Sequence, residues 1–407
     1  MTRLSSITNA RLIDASGERT GTLSISGDRL GGSAHDGDTF DAKGACVAPG
    51  IIDLGTFSVD KRACIAGGIT RIALMPDQSP PLDDPGLVQR AALAAKPDLW
   101  VHPLGAATRG LVGAELAEYA LMAKAGAKAI ATGRAWIADS GVMLRVLTYA
   151  ASLGMTVIAH AEDEGLTHGK VATSGETATR LGLPSAPAPA EAMAIARDLA
   201  LVELCGTSLG GARLHFRQVT TAAGFDLIRA AKAKGLPVTC GITPAHLFLS
   251  DIDVSDFRTF ARLSPPLRAE ADRRAAIEAV RDGTIDVLCS AHDPRGPEAK
   301  RLPFADAVPG MAGAETLLAL GLGLVRDGVI ALPRLMAMLS ANPAKILGVG
   351  GGSLDEGAEA DLMIFDPDAP WLIDGDKFAG QAGNTPFDKL PTQGCVLKTI
   401  KGGRILC

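Results

Sequence analysis

Residues Ala48 to Phe57 read APGIIDLGTF, and the fold of the chain turns on this stretch. Pro49 and Gly50 interrupt whatever precedes them, and Ile51, Ile52 and Leu54 then make a short apolar run of the kind found in buried parallel strands. The run closes on Asp53, Gly55 and Phe57. Seven similar runs follow: ITRIALMP (69–76), LWVHPLGA (99–106), AKAIAT (127–132), TVIAHAED (156–163), RLHFRQV (213–219), PVTCGITPAHL (237–247) and IDVLCSAHD (285–293). Between them lie Ala/Leu-rich stretches such as DSGVMLRVLTYAASLG and APAEAMAIARDLALVELCG, with helical apolar spacing and Gly near their ends. Strands alternating with helices predict parallel βαβ units, and eight repeats predict a (β/α)8 TIM barrel over residues 49–354. The flanks, 1–48 and 355–407, hold short strand patterns separated by Gly, Asp and Asn turns. They are expected to pair into one small β-sandwich domain formed by both termini.

Composition agrees with a globular α/β protein. The chain has 407 residues, enough for one large core and a satellite domain. It is 47% hydrophobic and 21% charged, with a formal net charge of −5 and no Lys/Arg cluster, which excludes nucleic acid and anionic membrane surfaces as natural partners. Its N-terminus has no secretory apolar run, so a cytoplasmic location is expected. The longest apolar stretch, Val308 to Val325, carries Glu315 and several glycines, and reads as a buried loop and helix rather than a membrane span. Seven scattered cysteines without a C-x-x-C pair fit reduced, mostly buried thiols. The glycine run Gly348 to Leu354 follows a helix and lacks a lysine, so it is a linker rather than a phosphate loop.

Several longer blocks carry a family resemblance: HAEDEGL (from His160), GETATRLGLPSAPAPAEAMAIARDLAL (from Gly175), IRAAKAKGLPVTCGITPAHLFLS, SPPLRAEADRRAAIEAVRDGTIDVL and GNTPFDKLPTQGCVLKTIKGGRIL. They resemble the dihydroorotase family of the amidohydrolase superfamily, nearly end to end. The resemblance implies a barrel of the amidohydrolase type, with metal ligands at the C-terminal strand ends.

Residue by residue, that implied ligand set is depleted. The family's D-x-H-x-H on strand one becomes Asp53, Gly55 and Phe57, and its strand-four bridging ligand falls at about Thr132. His160 and His215 stand at the strand-five and strand-six positions. The family's T-D-H-A-P-H becomes SAHDPR, so Ala291 occupies the catalytic Asp position; His292 and Pro294 remain, and Arg295 replaces the last histidine. The resemblance also places Val59 at a substrate-binding Arg, Asp77 and Ser264 at substrate-contacting Asn positions, and a deletion in the strand-one loop.

A catalytic zinc has three protein ligands plus water. His160 and His215 would need a third, from His246 on strand seven, Cys289 or Asp163. His35 and His168 are expected in solvated loops, and His102 as a satisfied barrel histidine. Asp293 would keep the face of Ala291 but lie ~6–7 Å further along the strand, too far to replace the lost Asp. No cofactor is therefore expected. Within the family, the chain resembles non-catalytic members that associate with the aspartate transcarbamoylase catalytic chain. That implies a dihydroorotase homologue of pyrimidine biosynthesis acting as a structural or regulatory partner, and a homo-oligomer. The alternative is an active zinc-dependent cyclic amidohydrolase with an atypical ligand set; a third reading is a barrel that binds a small metabolite without turning it over.

Overall fold

The structure, a computed structural model, describes residues 3–32, 37–206 and 211–407; His35 lies outside them. All eight expected strands form, as Ile51–Thr56, Ile69–Leu74, Trp100–Ala106, Ala129–Ala131, Thr156–Ala159, Arg213–Phe216, Val238–Ile242 and Val287–Leu288. They pair in sequence order, each with the next, in one parallel sheet. Seven of the eight predicted runs end one to five residues beyond the ladder, because the strand ends turn out into the loops of the barrel mouth.

Strands one and eight close the barrel through the Asp53 side chain and one backbone bond rather than by a continuous ladder. Asp53 accepts the Ser290 N–H at 2.9 Å and the Ser290 hydroxyl, and Phe57 donates its N–H to His292 O at 2.9 Å. Ile52, Leu54, Phe57, Ala73, Met75, Leu104, Ala131, Ile158, Val287 and Cys289 fill the interior. The helices bury a second apolar layer against the outside, where Ile51, Ile69, Ile130, Val157, Phe216 and Ile242 meet Val146, Ile195, Phe225 and Val280. Aspartate and threonine caps set the helix starts: Asp139 accepts from Val142 N at 2.8 Å, and Thr221 from Gly224 N at 3.2 Å.

Both termini do build one unit. Its eight-stranded sheet runs Arg404–Ile405, Pro391–Lys401, Leu362–Leu372, Cys46–Pro49, Leu4–Asp14, Gly17–Ser26 and Arg29–Leu30, with Asp38–Asp41 also beside Leu4–Asp14. Its core combines Ile7, Leu12, Ile25 and Val47 with Leu362, Ile364 and Ile400. Between its last long strands the chain makes an excursion back to the barrel mouth. There Asn384 accepts from Arg295 N at 2.9 Å through Oδ1 and from Ala312 N at 3.1 Å through its carbonyl.

The apolar stretch near residue 317 is the buried helix Leu317–Arg326, and no helix among the described residues is long and apolar enough to cross a membrane. All seven cysteines are free, four of them buried.

Candidate active site

The C-terminal strand ends gather His160, Thr132, Gly55, Phe57 and Ala291, together with residues that the sequence reading left aside. Strand one is bulged: Leu54 pairs with Ala73 and Thr56 with Leu74, which leaves Gly55 unpaired at φ +103°. The bulge lets Phe57 join Ile52 and Leu54 in the interior.

Into the space beside Gly55 comes Arg217, from the end of strand six. A β-carbon on residue 55 would lie 3.4 Å from both Cγ and Cδ of this arginine. Arg217 is 3% exposed. It donates from Nη1 to Gln218 Oε1 at 2.7 Å and from Nη2 to His160 Nδ1 at 3.3 Å. Burial, with the neighbouring charge of Arg134, pushes its pKa down, partly offset by carboxylates such as Asp77 and Glu162.

His160 is thus an acceptor at Nδ1, which places its proton on Nε2, 3.5 Å from Glu162 Oε2. Its backbone N–H donates to Thr132 Oγ1 at 3.0 Å, so the strand-four residue holds a neighbouring strand rather than an ion. Burial alone would raise Glu162, but His160 and Arg268 hold it down at about 2. Arg268 donates to Glu162 at 2.6 Å and to Thr220 Oγ1 at 2.9 Å, and lies 3.6 Å from Glu191. Glu191, fully buried, accepts the N–H groups of Thr220 and Thr221 at 2.9 and 2.8 Å and both hydroxyls.

The other candidate ligands are committed elsewhere. His215 bonds Thr239 Oγ1 at 2.9 Å, its Nε2 lies against strand seven at Gly241, and desolvation lowers it to about 3. His246 is not on strand seven but in the short helix Pro244–Phe248, because Pro244 ends the strand; its ring bonds Thr243 Oγ1 at 2.8 Å and Pro265 O at 3.2 Å. Asp163 caps the helix Glu164–Thr167. Cys289 faces Ile242 O at 3.5 Å, and burial raises its thiol to about 12. Among the described residues no group of three His, Cys, Asp or Glu side chains is placed to hold a metal ion. The donor set therefore does not fit a catalytic zinc.

Strand eight also departs from expectation. The ladder stops at Leu288, and Ala291 has φ +45°, so the face alternation assumed for Asp293 does not hold. Asp293 is instead the shared partner of Arg134 at 2.8 Å and Arg295 at 2.7 Å. His292 accepts from Ala314 N at 3.3 Å and points Nε2 at Asp60, 3.7 Å away. Val59 is half-buried against the core, and Asp60 begins the helix Lys61–Ala66 only four residues after strand one, so the connection is short. Asp77 accepts the Arg134 N–H at 2.9 Å. His168 is exposed, and His102 is buried at about 3 through desolvation with no partner for Nε2, so it is not the satisfied histidine expected.

Phe57 packs against two guanidiniums, with Arg134 Cζ 3.7 Å and Arg217 Cζ 5.1 Å from its ring centroid. The site is thus an arginine and carboxylate network around an aromatic ring. Arg217 carried a signal in the sequence, since it stands two residues after His215, the spacing that returns a strand side chain to one face. Arg268, Glu191 and Asn384 lie inside the blocks that carry the resemblance, but strand spacing does not single them out, because each reaches the mouth from a loop, a helix or the terminal unit.

Comparison with known proteins gives three findings. Residues 65–406 match the model of the Amidohydrolase family. A dihydroorotase-like protein of Pseudomonas aeruginosa is 37% identical over 98% of both chains, and a dihydroorotase of Pelotomaculum thermopropionicum is 38% identical over 91% of this chain and 88% of its own. Among solved structures, an L-hydantoinase (dihydropyrimidinase) from Arthrobacter aurescens superposes with a TM-score of 0.86 at 25% identity, covering 100% of this chain and 96% of its own.

Proposed function

Because the chain belongs to the amidohydrolase family and is a homologue of cyclic amidohydrolases, we propose that it is a dihydroorotase homologue that has given up hydrolysis. In this reading it serves pyrimidine biosynthesis as a structural or regulatory partner of the aspartate transcarbamoylase catalytic chain. The observation that carries the reading is Arg217, whose stem fills the space beside Gly55 and whose guanidinium donates to His160 Nδ1. A fixed cation there opposes a divalent ion by about 8 kcal/mol at ~4 Å and an effective dielectric of ~20. Hydrolysis of a cyclic amide needs a polarised carbonyl and an activated water. Ala291 has no carboxylate to move a proton; of the carboxylates at the mouth, Asp293 pairs with Arg134, Glu162 with Arg268, and Asp53 accepts from Ser290.

The partnership is supported by the end-to-end match to a protein called dihydroorotase-like and by an intact barrel and terminal sheet. A folded scaffold that has lost its chemistry but kept its shape fits a role in assembly, through an interface of ~1,000 Å² or more.

The test is co-expression with the transcarbamoylase catalytic chain of the same genome. One high-mass species on size exclusion is expected, with transcarbamoylase activity or stability lost when this chain is omitted. Separate elution at micromolar concentration, with a fully active transcarbamoylase, would refute the partnership. Dihydroorotate turnover that disappears in His160→Asn would refute the loss of hydrolysis and establish a metal-dependent enzyme with an atypical ligand set.

A further inference from the structure

The end of the barrel opposite the mouth is not uniformly packed. Ala344 and Leu347, of the helix Asn342–Leu347, join Ile52, Ala129 and Ile158 in the interior cluster. Beneath strands five to seven the pattern changes. Thr156 and Arg213, the first residues of strands five and six, pair with each other, and Thr239 of strand seven pairs with His215. Barrel interiors are ordinarily filled by bulky branched side chains. Here two hydroxyls and a guanidinium border a cleft of about 850 Å³, with about 350 Å³ of it free for atoms the size of water. Leu236, Pro237, Val238 and Ile346 give this cleft an apolar wall.

Most polar groups on the wall are satisfied within the chain. Thr156 donates from Oγ1 to Ile346 O at 3.0 Å, and Thr239 Oγ1 bonds His215 Nδ1 at 2.9 Å. Asp286 accepts from Lys232 Nζ at 2.7 Å and from Cys240 N at 2.9 Å, so its charge is balanced. Asn342 donates from Nδ2 to Asp286 O at 2.8 Å. The two cations of the wall are different. Among the described residues Arg213 bonds only the carbonyl of Gly154, and Lys345, in the last turn of its helix, makes no ion pair or side-chain hydrogen bond. Two positive charges therefore border one cleft without a carboxylate partner.

We propose that this cleft binds the phosphate monoester of a small apolar molecule, with Arg213 and Lys345 as cationic partners of the phosphate and Leu236, Pro237 and Ile346 against the organic group. A phosphate monoester carries about two negative charges near neutral pH, which matches two unpaired cations, whereas a carboxylate carries one. The apolar wall favours an ester over inorganic phosphate, which has no carbon skeleton to bury. The cleft shares no lining residue with the clefts of the barrel mouth, so the site stands apart from the loss of hydrolysis and from the transcarbamoylase partnership.

The experiment titrates the full chain alone with phenyl phosphate, inorganic phosphate or benzoate, followed by calorimetry and thermal shift. Phenyl phosphate should bind saturably and raise the melting temperature. Inorganic phosphate and benzoate should each bind at least about tenfold more weakly, one for want of the ring and the other for want of the second charge. Arg213→Met and Lys345→Met, both at exposed positions, should fold as the wild type and each lose at least about tenfold in affinity. Arg134→Ala at the mouth and Lys124→Met on a distant helix should leave affinity unchanged. No saturable response in the wild-type chain, or unchanged affinity in R213M or K345M, would overturn the site. A loss in R134A would place the anion in the mouth and overturn it equally. Benzoate or inorganic phosphate binding as tightly as phenyl phosphate would overturn the assignment to phosphate monoesters.

Discussion

The side chain of Arg217 and the bare α-carbon of Gly55 are complementary: a β-carbon at residue 55 would sit 3.4 Å from the arginine's Cγ and Cδ. The same arginine reaches His160 with its guanidinium, so one residue of strand six occupies ground between strands one and five. The space beside Gly55 and the Nδ1 of His160 are therefore taken by the same residue, and a side chain placed at residue 55 meets a filled site.

Gly55→His should be strongly destabilising. It places a side chain at φ +103° and against the Arg217 stem, and strain with overpacking should together cost about 3 kcal/mol or more. Urea titration measures the loss. The triple variant Gly55→His, Phe57→His, Ala291→Asp should still bind no equivalent of zinc and show no dihydroorotate turnover; stoichiometric zinc by elemental analysis would contradict the packing argument.

Chelation should leave the wild-type chain unmoved. An ion bound to the native state alone raises the melting temperature, and its removal lowers it. With Arg217 against His160 and His215 committed to Thr239, protein purified without added zinc should carry well under one equivalent, and its melting temperature should be the same with and without chelator. A fall on chelation points instead to a resident metal.

Stability should fall as the medium is acidified below the ordinary imidazole range. Desolvation holds His102 and His215 at about 3 and His246 at about 4, against an ordinary value of 6.5. The unfolded chain then binds more protons than the folded one across that interval, so their contribution is complete above 6.5 and is lost as pH drops towards 3. Glu162, held at about 2 against an ordinary 4.5, adds a loss of the same sign at lower pH. Asp198 opposes them: burial raises it to about 7, so the folded chain takes up a proton there first. Comparing urea midpoints at about pH 7.5 and about pH 5, His215→Asn should narrow the difference and Asp198→Asn should widen it. The reverse order would show that burial does not control these groups.

Glu191→Ala should cost about 3–5 kcal/mol by denaturant titration, because it strips two backbone N–H groups and Arg268 of a buried acceptor. Glu118→Ala, which breaks the exposed pair with Arg109, should change stability by less than about 1 kcal/mol. Equal effects would mean that the buried network does not hold the barrel mouth.

The strands were legible because each pairs locally and carries its own apolar run; even three-residue Ala129–Ala131 and two-residue Val287–Leu288 fall inside stretches the pattern marked. The terminal sheet was legible for the same reason, although its partners lie more than three hundred residues apart, as at Met363 beside Ala48. The site was legible only in part. That Phe57 and Ala291 reach the barrel mouth could be found by motif, whereas the strand-seven place of His246 and the alternation at Asp293 failed, because Pro244 and the positive φ of Ala291 end regular strand geometry first.

By itself, then, the sequence determined the barrel and the terminal sheet, since those follow from periodicity along the chain, and it singled out Gly55, Phe57 and Ala291 only through a family resemblance. What surrounds those positions was decided only in three dimensions. Arg217 sits beside Gly55 and His160 because parallel strands bring their C-terminal ends to one mouth, where side chains distant in sequence compete for the same volume and the same hydrogen bonds.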